Sequence, residues 1–307
     1  QKNPLPQNKN QTWPANEIDH FILAELEGVG LSPSLKAKPE TLVRRIFFDL
    51  TGLPPTVEEY EQFLADDSPR AFENLVDKLL TQEPYVSRYA ERMATPWLDA
   101  ARYADTNGIH MDAGRQMWKW RDWMLEAFRD GKPYDQFLTE QIAGDLLPEV
   151  KGEPPAAAHA RAIATGFFCV GPKMLAEDDG RKMQMDIIDE QIDTLGKALL
   201  GLTLGCARCH DHKFDPIPTA DYYALAGIFK STKTMDSLKT IAKWHEHSFA
   251  TPAQKKLKEK HDVLISAQKK VVSAFTDKAN QQLLVDLKLN TLPPSPEEKY
   301  SKANQVE

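Results

Sequence analysis

Cys206-Ala207-Arg208-Cys209-His210 is a C-x-x-C-H run, the pattern of a c-type haem attachment site. Two cysteines three positions apart can each form a thioether to one vinyl group of the macrocycle. The adjacent histidine then lies under the ring with an imidazole nitrogen for the iron. Only three cysteines occur in the chain, and two are placed here, directly before a histidine. Three other chemistries use the same residues. A thioredoxin-like redox pair at Cys206 and Cys209 would need an α/β context, which the surrounding sequence lacks. A zinc-binding structural module would take Cys206, Cys209 and His210 or His212, with Cys169 or another histidine as the fourth ligand, but no second ligand pair at zinc-finger spacing is present. A plain Cys206–Cys209 disulfide would leave His210 unexplained.

Outward from the motif the apolar period is helical nearly throughout, which predicts an all-α, irregular multi-helix domain carrying one haem. A helix from about Met185 to Leu204 delivers the motif at its C-terminal end, after a polar loop over 171–182. Asp215-Pro216-Ile217-Pro218 then turns the chain, and Thr219 caps a helix through Tyr222, Leu225, Ile228 and Phe229. Upstream, Ile18, Phe21, Ile22 and Leu26 form one stripe; Leu42, Ile46 and Leu50 form another, stopped by Gly52 and Pro54-Pro55. Thr56 with Glu59 reads as a capping box, and Ser68-Pro69 as the start of a helix through Phe72, Leu75, Val76 and Leu79. Further helices are expected from Tyr85 to Ala104 (kinked or broken at Pro96), Trp118 to Phe128 and Tyr134 to Leu147, with a Pro/Ala-rich link over 154–159. Strand-like alternation is scarce. Leu257, His261, Leu264, Gln268, Val271, Phe275 and Ala279 recur at spacings of four and three, as in a coiled-coil arm or helical hairpin through which the chain associates. The domains so read are an N-terminal extension (1–14), a helical cytochrome-like domain (15–235), a helical arm or hairpin (236–290) and a tail (291–307).

The chain has 307 residues, 41% hydrophobic and 27% charged, with a formal net charge of −7. A surface of that sign, without a basic stripe, argues against nucleic-acid or anionic-membrane binding. No apolar run of about eighteen residues is present, so no membrane span is expected. The chain begins at Gln1 rather than Met, as a processed secreted chain or a segment of a longer protein would. Covalent haem implies an oxidising, periplasmic or otherwise extracytoplasmic location. Cys169, in Phe167-Phe168-Cys169-Val170, reads as a buried small side chain.

The stretch from Gly201-Leu202-Thr203-Leu204-Gly205 through the motif to Asp211-His212-Lys213-Phe214-Asp215-Pro216-Ile217 resembles the planctomycete-type cytochrome c family, large exported proteins of Planctomycetes and Verrucomicrobia. Three segments extend the resemblance: Ile46 to Pro55 (IFFDLTGLPP), Ala101 to Thr106 (ARYADT), and Pro133 to Phe137 with Ala143 to Pro148 (PYDQF and AGDLLP). It covers roughly residues 15–235. It implies one covalent haem c and electron transfer outside the cytoplasm, to a redox partner protein or an adjoining cytochrome domain, within a longer protein whose next domain is of unknown function.

His210 is the expected proximal iron ligand. Opposite it, Met174 is the favoured candidate, with Met183 and Met185 nearby, His110 and His159 as histidine alternatives, and His212 too close in sequence to reach around the ring. Haem propionates need cationic partners, for which Arg208, Arg102, Arg115 and Arg121 are candidates. Trp118, Trp120 and Trp123 either wall a haem edge or pack a core, and Asp211, His212 and Asp215 serve turn and helix capping. Two function classes follow: a monohaem electron-transfer module, or a haem-dependent redox enzyme acting on a saccharide-derived or other small substrate, with Tyr103, Asp105 and His110 in its pocket. A structural or glycan-binding role is the third.

Overall fold

The computed structural model describes residues 3–109, 112–148 and 150–288. Among them are eleven α-helices and one two-stranded hairpin, so the fold is all-α. No described helix is long and apolar enough to cross a membrane. The chain divides into two compact units between His245 and Glu246.

In the first unit, α1 (Glu17–Gly28) starts at an Asn16–Asp19 capping box. Its buried residue is Leu23, while Ile18, Phe21 and Ile22 of the predicted stripe are exposed. The reason lies outside the helix: residues 8–10 occupy its other side, with Asn8 Nδ2 on His20 O and the Lys9 and Asn10 N–H groups on the Glu27 carboxylate. Helices α2 (Pro39–Thr51), α3 (Val57–Leu64) and α4 (Ala71–Thr81) pack around Val43, Phe47, Leu75 and Leu79. The Thr56–Glu59 capping box forms as its spacing predicts. Ser68 does not cap α4; its N–H bonds Asp66 Oδ1 in a turn, and the helix begins three residues later.

Helix α5 (Tyr85–Ala101) runs unbroken through Pro96 and ends at Arg102 in the left-handed region (φ 57°). With α6 (Trp118–Arg129) and α7 (Tyr134–Ala143) it encloses the largest core, where Trp120, Trp123, Met124, Phe137 and Phe167 are buried. Trp120 and Trp123 are therefore core residues, and Trp118 is exposed. The Pro/Ala-rich link is instead a helix, α8 (Pro155–Ala164), because Pro154-Pro155 supplies a start and the alanines that follow are the best helix formers.

Helix α9 (Gly180–Leu195) starts at Asp179, whose carboxylate accepts the N–H groups of Arg181 and Lys182. It starts earlier and stops nine residues sooner than the apolar period predicts. A wide turn over Gly196–Leu200 and a left-handed Gly201 reverse the chain, so that Leu202 N–H returns to Gly196 O at 3.0 Å. At Gly196 a Cβ would collide with Leu202 O and the Leu204 side chain, so a side chain there would block the reversal. Helix α10 (Thr219–Ser231) follows, then the antiparallel hairpin β1 (Met235–Leu238) and β2 (Ala242–Trp244), which packs Ala242, Met235 and Leu238 onto Met183 and Ile187 of α9. Residues 236–244, expected as part of the arm, thus belong to the helical unit.

In the second unit, α11 (Pro252–Leu287) is one continuous 36-residue helix opened by a Thr251–Gln254 capping box. Leu257, Leu264, Val271 and Phe275 are all exposed on it. The tail 291–307 lies outside the described residues.

An ion centre joins α5 to α9. The Lys173 side chain is fully buried and donates to Glu190, which also takes Arg102 at 2.9 Å; Arg102 reaches Asp193 at 3.1 Å and Thr194 besides. Arg115 donates to the carbonyls of Ala104, Cys169, Val170 and Gly171. Burial pulls the Lys173 ammonium below its ordinary pKa, partly offset by Glu190, and burial likewise lowers Arg115. Removing one partner of such a set leaves an uncompensated charge in the interior. Glu190→Gln should therefore cost about 3–5 kcal/mol in urea unfolding. Adding Lys173→Met should recover part of that loss; further destabilisation on adding it would show that Lys173 does not depend on Glu190.

Candidate functional site

The motif opens on its own short 3-10 turn, Leu204–Arg208, which Cys209 ends and His210 follows, and not on the end of α9. Leu204 and Ala207 point inward and are buried with Ile188, Ile192, Tyr222 and Ala226. With those two positions committed to the core, Cys206, Cys209 and His210 are left exposed, and neither cysteine is bridged. Cys209 N–H faces Cys206 O across the turn at 3.5 Å.

Arg208, between the two cysteines, is clamped from both ends. Its guanidinium forks onto Asp186 and Asp189 of α9, each at 3.1 Å. Tyr222 of α10 donates to Asp189 at 2.5 Å, and the neighbouring Tyr223 donates to the backbone carbonyl of Arg208 at 3.1 Å. Burial followed by the bond to Asp189 pushes the Tyr222 phenol well above the usual tyrosine range. Burial would raise Asp186, but hydrogen bonds from Lys182 and Arg208 outweigh it and hold the carboxyl below its ordinary value. The Arg208 guanidinium moves up because Asp186 and Asp189 outweigh the desolvation that opposes them.

The loop after the motif is pinned by its own side chains. His212 Nδ1 lies 2.9 Å from the Asp215 N–H and 3.3 Å from the Phe214 N–H, so it is the accepting nitrogen; Nε2 carries the proton, which it donates to Thr203 Oγ1 at 3.1 Å. The Asp215 carboxylate, 3.2 Å from the same Nδ1, would favour a proton there, but a protonated Nδ1 could not accept the two N–H groups; we assign the neutral tautomer. Asp211 Oδ1 accepts the Thr219 N–H at 2.8 Å, so the cap of α10 comes from eight residues upstream and not from Thr219. The pinned loop holds out Phe214, 82% exposed, with its ring edge against His212.

His210 Nδ1 faces its neighbour's carbonyl, Asp211 O, at 2.8 Å. A carbonyl only accepts, so Nδ1 carries a proton, and in the neutral ring the lone pair is on Nε2. Two exposed unbridged thiols and an imidazole with a fixed tautomer fit covalent attachment of a haem at this surface. Phe214 and half-exposed Tyr223 offer apolar ring faces on the adjoining segments.

The other expected site residues are dispersed. Arg208, Arg102 and Arg121 are paired with carboxylates and Arg115 with carbonyls. Met183 is fully buried under the hairpin. Met185 packs against the cluster that contains Leu204 and Ala207. Met174 is half-buried on a segment held by Asn107 O and Ala242 N–H through its neighbours Lys173 and Leu175. His159 is exposed on α8, and His110 lies outside the described residues. Tyr103 donates to Asp105 at 2.9 Å and stacks on Trp120, so these two proposed pocket residues touch each other. Burial raises the Cys169 thiol. Among the described residues no three His, Cys, Asp or Glu side chains converge as metal ligands, so the zinc alternative has no preformed site there. Missing from the sequence reading were Asp186, Asp189 and the hydroxyls of Tyr222 and Tyr223; Asp186 and Asp189 at i, i+3 on one helix face were the available signal.

The fold and this surface define an all-α protein that displays a C-x-x-C-H turn braced by an arginine clamp. The chain belongs to the family described as PSCyt2, protein of unknown function (DUF1549), whose model matches residues 17–234, and whose name associates it with planctomycete cytochromes. No curated protein and no solved structure shows significant similarity to it.

Tyr222→Phe should cost about 1.5–3 kcal/mol, the worth of a hydrogen bond to a charged acceptor. Because the folded-state pKa is raised above 10.0, that difference should hold at all pH below 10.0 and shrink as pH rises from there through the folded value. Urea unfolding of both proteins across the alkaline range checks the size and the sign.

Proposed function

We propose that this chain is an extracytoplasmic monohaem c-type cytochrome module working in electron transfer, with thioethers at Cys206 and Cys209 and His210 Nε2 as the proximal iron ligand. The observation that carries the proposal is the motif's presentation: both thiols and the imidazole are exposed on one turn whose inward positions, Leu204 and Ala207, are locked in the core. When bound, the haem would supply one-electron exchange at a potential set by its axial ligands and surroundings. The protein's part is positional. Asp211 O holds the proton on His210 Nδ1, which keeps Nε2 basic and raises its strength as a ligand. The Arg208 clamp fixes the turn between the two thiols, and the His212 pin keeps the following loop and Phe214 in place beside it. A partner protein that exchanges electrons would dock over this exposed face.

Export of the chain in a host with haem-maturation machinery tests the proposal. Haem should survive denaturing electrophoresis, and the double substitution Cys206→Ser, Cys209→Ser should abolish it. The dithionite-reduced protein should give a low-spin spectrum indifferent to carbon monoxide, whereas His210→Ala should keep the covalent haem and become carbon monoxide-reactive. No covalent haem in the parent protein would overturn the proposal, and a carbon monoxide shift in the parent would replace electron transfer with a haem enzyme.

A further inference from the structure

A cleft of about 230 Å³ runs between α9 and the segment that follows α10. One wall is a single face of α9, with Gln184, Ile187, Ile188 and Gln191 at i, i+3, i+4 and i+7. The other is the run Lys230-Ser231-Thr232-Lys233-Thr234, the last two residues of α10 and the three that follow.

The polar groups of the cleft have capacity to spare. Gln191 is 2% exposed, yet its only hydrogen bond among the described residues is a long one, Nε2 to Phe168 O at 3.4 Å. The Gln184 amide, half-buried, bonds no other described residue. Ser231 and Thr232 donate their hydroxyl protons to Ile228 O at 2.7 and 3.1 Å, which leaves both oxygens able to accept. Lys233 is committed to Asp236 at 2.8 Å, a carboxylate that His245 also reaches. Lys230 is exposed and makes no ion pair among the described residues. Ile187 and Ile188 form the floor between the amides, and Phe229, Met235 and Leu238 complete the apolar part of the lining.

The composition of the walls selects a ligand class. Two amides with open donors and acceptors suit hydroxyl groups, and would be left unpaired by an apolar molecule. The isoleucine floor suits the C–H face of a carbon skeleton, and the unpaired ammonium suits an anion. That anion should carry a single charge, because the negative end of α10 lies at the same rim and disfavours a phosphate dianion. We propose that the cleft binds a small polyhydroxylated carboxylate, with its carboxylate on Lys230 and its hydroxyls on Gln184, Gln191 and the Ser231 and Thr232 oxygens. The opposite side of α9 holds Arg208, and Ile188 belongs both to the cleft and to the cluster that buries Ala207. The bound molecule would therefore lie one layer of side chains from the C-x-x-C-H turn.

The proposal does not rest on the haem, so the chain without haem tests it. Calorimetric titration with D-gluconate and D-glucuronate, and with D-glucose as the uncharged comparator, should give binding by at least one of the two acids and about tenfold or weaker affinity for glucose, the equivalent of one charge-assisted contact. Lys230→Gln, an exposed substitution that should leave thermal unfolding unchanged, should bring the acid down to the level of glucose. Gln184→Leu should weaken the acid and glucose together. Failure of both acids to bind at about 10 mM, or binding that Lys230→Gln leaves unchanged, would overturn the proposal, since even millimolar affinity is well within calorimetric reach.

Discussion

The Arg208 clamp is the constraint on which the candidate site depends. An arginine fork matches two carboxylates in a way a point charge cannot, and Asp186 and Asp189 stand one helical turn apart, within its reach. Because Arg208 lies between the two cysteines, anchoring its side chain to α9 and its carbonyl to Tyr223 fixes the turn that carries them. Leu204 and Ala207 are drawn into the core by the same docking, and the thiols are left outside. A thiol pair on a loose loop would reach a macrocycle only after loss of backbone entropy; here that ordering is already complete.

Helix α9 is the spine of the first unit, and it works because its faces are chemically distinct. Asp186 and Asp189 hold the motif, Glu190 and Asp193 hold Arg102 and Lys173, Ile187 receives the hairpin, and Gln184 and Gln191 line the cleft. The ion centre and the clamp are adjacent along this one helix. A buried ammonium such as Lys173 is costly by itself, and its pairing with Glu190 makes the interior dependent on α9 keeping its register. At Gly171 a Cβ would run into the Glu190 carboxylate, so the chain can pass close to the ion centre only without a side chain there.

Much of the fold was legible because helices announce themselves locally. The Thr56–Glu59 box, the α6 segment and the break at Gly52 are short-range patterns, and they form as their spacing predicts, whereas α7 gives way at Gly144 to a 3-10 turn short of the expected Leu147. Several misreadings share one cause, which is tertiary contact overriding local pattern. Ile18, Phe21 and Ile22 form a perfectly good stripe, but residues 8–10 take the opposite side of α1. The helical period continues past Leu195, but the approach of Leu202 to Gly196 ends α9 there. Thr219 looks like a cap, yet Asp211 already fills that role from a loop shaped by His212.

The sequence by itself determined the helical class and the five-residue motif, since both are written in spacings of a few residues. It also determined that Cys206, Cys209 and His210 lie on one turn, because three positions apart is a single turn of helix. Only the tertiary structure decided what surrounds them. Arg208 meets Asp186 across 22 residues, Tyr222 meets Asp189 across 33, and Arg102 meets Glu190 across 88. Partners so distant in the chain are chosen by how helices pack, and no local period records that choice. The same holds for the cleft, whose two walls become neighbours only when α10 folds back against α9.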